Sequence, residues 1–144
     1  MRDEISARCA AIEECYEFML AYAGQGLAGD EASQSSVQVR EYLNRAVEAL
    51  SGLAEVYTKA VKQENLQPAE PYHAFLHVLD TDARHSIAAI ELVLAQPTLS
   101  SQLIDNLNAS IHIRALLTDL FLIDEILKLK RMPAKPRWRP RPQR

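Results

Sequence analysis

Only four glycines occur among 144 residues, aromatics make up 6%, and there is a single tryptophan. All-β folds need turn residues about every 8–12 positions, so this scarcity argues against them. No stretch alternates apolar and polar residues with period two for long enough to predict a strand. The two cysteines, Cys9 and Cys15, are six apart on one predicted helix. Their side chains therefore point about 120° apart, which excludes a bond between them. No CxxC pair, Cys/His ladder or CxxCH motif is present, so a zinc knuckle and covalent haem are not expected. Gly24, Gly26 and Gly29 spell GxGxxG, but they close a predicted helix instead of following a strand, so no dinucleotide loop is expected; Walker A, GxSxG, HExxH and the EF-hand pattern are missing. The opening MRDEISARCA contains no apolar run of the secretory kind, and a reducing cytoplasm is the expected compartment.

What is present is apolar and unevenly charged. Hydrophobic residues make up 48% and charged residues 24%, enough for a packed core in a chain of 16.2 kDa. With so few aromatics, Leu, Ile, Val and Ala must fill it. The net charge of −3 conceals two opposed parts. Lys128, Lys130, Arg131, Lys135, Arg137, Arg139, Arg141 and Arg144 lie in the last seventeen residues with no acidic neighbour. The other eight basic residues face all 19 acidic ones over residues 1–127, a net charge of −11. The body repels polyanions and the tail attracts them.

Four amphipathic helical segments are predicted. The first, about 3–27, carries the stripe Ile5, Cys9, Ile12, Tyr16, Met19, Ala23 and Leu27, which places Cys9 in the core and Cys15 at its edge. The second, capped by Ser35 or Ser36, carries Val39, Leu43, Ala46, Leu50, Leu53, Tyr57 and Ala60 without interruption. The third spans about 71–96, with Pro71 in its first turn, and the fourth about 99–131, capped by Thr98 or Ser100. The predicted fold is all-α: a four-helix up-down-up-down bundle over residues 1–132, followed by an extended basic Pro/Arg/Trp-rich tail over 133–144.

The fourth segment is more apolar than one buried stripe requires. From Ile111 to Leu129, eleven of nineteen residues are Ile, Leu or Phe, spread round nearly the whole circumference. Arg114, Asp119, Asp124 and Glu125 interrupt the run, each at a cost of roughly 2.5–3.5 kcal/mol at mid-membrane, so no span is expected. Burial against a second copy is the expected solution, with Leu117, Leu120, Phe121, Ile123 and Leu127 at a homodimer interface; cover by the third and first helices within one chain is the alternative.

Two features carry chemistry. His73 and His77 are four residues apart on one helical face, with Asp80 and Arg84 continuing the line and Glu91 beyond. Such a pair can chelate a divalent metal, although the line lies about 120° from the apolar centre of its helix. Glu70 and His73 form one Glu-x-x-His, and no second one exists on another helix to complete a di-iron set. A solvated His–Asp–Arg flank is the expectation, with no cofactor and a divalent metal as the alternative. Asp82 and His85 read as a surface pair.

The second feature is the tail. Arg137, Trp138 and Arg139, bracketed by Pro136 and Pro140 and followed by Arg141, combine the favoured anchors of protein interfaces with restricted conformational freedom. The sequence predicts a non-enzymatic accessory or adaptor protein that captures a protein partner through this tail. Nucleic acid and an anionic membrane surface are the alternative tail partners, a solubilising tail or one folded back on the acidic body is the reading without a partner, and a metal- or cofactor-binding bundle using the His73/His77 face is the alternative function.

Overall fold

A computed structural model describes residues 2–30 and 33–131. Among the described residues the chain is all-helical, with six helices and no strand: α1 Arg2–Ala23, α2 Gln34–Leu50, α3 Leu53–Gln63, α4 Ala69–Leu94, α5 Ser101–Ala109 and α6 Ile111–Arg131. Two of the four predicted segments are therefore broken once each. The second breaks where Ser51 turns extended and Gly52 takes a left-handed conformation, φ 72°. The spacing of four and three runs on across the break, so all seven residues of the predicted stripe are buried. The fourth breaks at Ser110, which is extended and whose Oγ accepts from the His112 N–H at 3.2 Å.

Caps follow the physics expected of short polar side chains. Ser33, rather than Ser35 or Ser36, caps α2 by accepting from Ser36 N, and Ser100 caps α5 by accepting from Leu103 N. Neither α2 nor α4 has a basic residue in its last turn. Each receives an arginine from elsewhere instead, which satisfies open carbonyls at the negative end of the helix. Arg8 donates to Ala49 O and Ser51 O at 3.1 and 2.6 Å, and Arg40 donates to Leu94 O, Gln96 O and Pro97 O.

α1 packs on α2, α5 and α3, and α4 packs on α6, α3 and α2. The end of α1 is stapled to the start of α5. Ser101 N donates to Leu27 O, Ser101 Oγ donates to Tyr22 O, and the buried Tyr22 hydroxyl donates to Leu99 O. These bonds fix the rotation of α1. Its buried residues are Ile5, Ile12, Cys15, Met19 and Tyr22, so the predicted stripe is displaced: Cys15 is in the core and Cys9 only half-buried. α4 and α6 run antiparallel, since Phe75 shares a groove with Ile126 while Ser86 Oγ donates to His112 O.

Candidate functional site

A groove of about 640 Å³ lies where the α2–α3 break faces α4. Ser51, Gly52, Glu55 and Thr58 line one wall, His73, His77, Asp80 and Arg84 the other, over a floor that includes Leu50, Ala54, Leu76 and Ala83. The sequence already placed His73, His77, Asp80 and Arg84 on one face. What it did not show is that Gly52, by ending α2 early, opens a cleft against that face. Arg84 Nε donates to Asp80 Oδ2 at 2.8 Å, the flank pairing expected from the i,i+4 spacing. Both imidazoles are exposed. They can offer two nitrogen donors to one cation. Among the described residues no three His, Cys, Asp or Glu side chains gather closely enough to hold a metal, and Glu91 does not line the groove.

A second polar cluster joins α1, α3 and α6. Tyr57 OH donates to Asp124 Oδ1 at 2.5 Å, and Cys9 Sγ lies 3.3 Å from the same hydroxyl and 3.5 Å from Asp124 Oδ2. Burial pushes the Cys9 thiol up to about 11, against the opposing pull of its bond to Tyr57. Burial alone pushes Cys15 up to about 12. Tyr57 is raised as well, by burial and then by its bond to Asp124. Both thiols stay protonated at neutral pH, the reverse of what a nucleophilic cysteine needs.

The α4–α6 seam holds a carboxyl pair that periodicity did not reveal. Asp119 is buried on the inward side of α6, hydrogen-bonds Asp82, and leaves Oδ2 without a partner. Burial, then the bond to and charge of Asp82, pushes its carboxyl up to about 7. Asp82 therefore faces Asp119 rather than forming the expected surface pair with His85. His85 instead sets its ring edge-on to His112, centroids 5.3 Å apart.

The surface of α6 departs from the expected interface. Leu117, Leu120, Ile123 and Leu127 are buried against the chain's own helices and present no surface to a second copy. Of the five residues expected there, Phe121 alone is exposed, at 61%. Leu122 at 50% and Leu129 at 59% join it, with Ile111 further along. At 100° per residue, Ile111, Leu122 and Leu129 fall on one line opposite the buried side. A smaller apolar groove of about 240 Å³, formed by Pro68, Pro71, Tyr72, Phe75 and Ile126, lies beside that line at the seam with α4.

Arg131 ends α6 in a two-pronged bond to Glu64 at the end of α3, Nε to Oε1 at 2.9 Å and Nη2 to Oε2 at 3.1 Å. Arg2 reaches the same carboxylate at 3.4 Å. Glu64 is held below its ordinary carboxylate range, chiefly by its bond to Arg131. Arg137, Trp138, Arg139 and Arg141 lie outside the described residues. No helix among the described residues is long and apolar enough to cross a membrane. No family model matches this chain, and no curated protein or solved structure is found to match it.

Proposed function

We propose that this chain is a non-enzymatic cytoplasmic accessory protein that pairs with a second copy through the outward line of α6 and captures a protein partner through its basic C-terminal segment. The six helices are read as four segments, α2–α3 and α5–α6 each being one segment with a break, in an up-down-up-down bundle with the tail leaving its end. The observation that carries this reading is the second apolar line on α6. Leu122 and Leu129 lie on it and stay exposed after the core has been filled, immediately before the basic segment, with the exposed Phe121 about 100° round the helix from Leu122. Large apolar side chains gathered on one exposed face mark interaction sites more than scattered ones do. Two bundles joined there would carry two tails and add avidity.

The tail is tested by affinity capture from lysate with the full chain beside one ending at Met132, each with and without nuclease. The reading expects a protein recovered by the full chain alone and insensitive to nuclease. Recovery that vanishes with nuclease favours nucleic acid, and equal recovery by both chains contradicts the tail as recognition element.

A second reading rests on the groove at the α2–α3 break. Its volume and the adjacent His73 and His77 suit a divalent metal or a small polar ligand. Stoichiometric metal in protein purified without a histidine tag, lost in His77→Ala, would favour it.

A further inference from the structure

Among the described residues the groove is lined by Pro68, Pro71, Tyr72, Phe75 and Ile126, a mostly apolar set with two aromatic rings, and has room for one large side chain. Trp138 is the single tryptophan of the chain and the largest apolar side chain of the segment that follows α6. An indole buries about 150–250 Å² and packs favourably on aromatic rings. The distance is short. Ile126 lies five residues before Arg131, about 7.5 Å along the helix axis, and Arg131 is pinned to Glu64. Seven residues lead from Arg131 to Trp138, an extended reach of about 23 Å. The chain can therefore turn back and lay Trp138 on Tyr72 and Phe75.

Charge favours the same placement. Arg137 and Arg139 flank the indole, while Glu70 precedes Pro71 and Glu125 precedes Ile126. Both glutamates are exposed, and neither is in an ion pair among the described residues. Lys130 stands one turn beyond Ile126 and directs the arginines toward the Glu70 side. Pro133 and Pro136 lie between Arg131 and Trp138, so less freedom is lost on docking. A short tether also gives the chain's own tryptophan a millimolar effective concentration, which a second copy does not match in dilute solution.

We propose that Trp138 docks in cis into the groove of Pro68, Pro71, Tyr72, Phe75 and Ile126, with Arg137 or Arg139 toward Glu70. The free chain thereby masks its own recognition segment, and a partner has to displace it. The masking rests on the tail being the recognition element; the docking does not.

Because Trp138 is unique, its fluorescence in the full chain reads the contact directly. The expected result is emission shifted to the blue of the urea-unfolded chain, with acrylamide quenching reduced several-fold. Tyr72→Ser and Phe75→Ser should each return emission toward the unfolded value with helicity unchanged by circular dichroism. Glu70→Lys, on the surface and harmless to the core, should raise quenching even if a groove variant loses helix. The shielding should survive a hundredfold dilution. Emission equal to that of the unfolded chain overturns the proposal. So does shielding that persists in all three variants, or shielding lost on dilution, which would assign the groove to a second copy's tail. No partner is present in this measurement, so its failure leaves the capture reading standing, and an empty capture leaves the docking standing.

Discussion

Asp119 sets the stability of the α4–α6 seam against pH. Its carboxyl is pushed from an ordinary 3.8 up to about 7, first by burial and then by Asp82. Below about pH 4 the folded and unfolded chains both hold the proton. Between about pH 4 and 7 the unfolded chain has released it and the folded chain has not, so stability falls as pH rises through that window and levels off above it. Glu64 acts in the opposite sense: Arg131 holds it below 4.5, and its contribution is lost as pH falls into acid. Asp119→Asn keeps the shape and removes the titration. Urea midpoints at about pH 5 and pH 8 should fall between the two values in the parent chain, and fall less in the variant, which should be the more stable protein at the higher value. Equal slopes in the two proteins would show that Asp119 is not the titrating group. The sequence displayed Asp119 only as an interruption of an apolar run. Its pairing depends on the register of α6 against α4, which no spacing within α6 records.

At the scale of elements, two left-handed glycines differ in what surrounds them. Gly52 has φ 72°, and a Cβ there would meet only Glu55 Oε2, at 3.9 Å. Gly29 has φ 86°, and a Cβ would come within 2.4 Å of the Leu99 backbone at the entry to α5. Gly52→Ala should therefore cost only the backbone strain, about 1–2 kcal/mol. Gly29→Ala must also force the loop after α1 away from α5 and should exceed about 3 kcal/mol, the upper end of ordinary substitutions. Denaturant midpoints check the order; a Gly29 variant no worse than the Gly52 variant would contradict this packing. Helical periodicity read the buried side of α2 and α3 correctly even though it read them as one helix, because the four-and-three spacing is kept through Gly52. It misplaced α1 because Ile5, Ile12 and Met19 fit two rotations equally well. What decides between them is the Tyr22 hydroxyl, which finds Leu99 O from a residue 77 positions away. The face of His73 and His77 was legible in the same way, while the cleft opposite it was not, since Gly52 creates that cleft by ending a helix the spacing carried on.

For the whole molecule, the opposed charges of body and tail and the excess of apolar residues on α6 are properties of composition, and they were readable from the start. Which residues of α6 remain outside is a property of packing. A helix with apolar residues on every side gives no preferred stripe, so Leu117, Leu120, Ile123 and Leu127 were expected outside and lie within. The correction moves the proposed pairing surface to Phe121, Leu122 and Leu129 without removing the reason for one. Sedimentation equilibrium of the full chain beside Leu122→Glu/Leu129→Glu tests that claim most directly. The account predicts a concentration-dependent mass rising to about twice 16.2 kDa for the parent. It predicts a monomer of unchanged helicity for the variant, because both substituted side chains are exposed. A parent chain that stays monomeric at every concentration, or a variant that pairs as well as the parent, would contradict it.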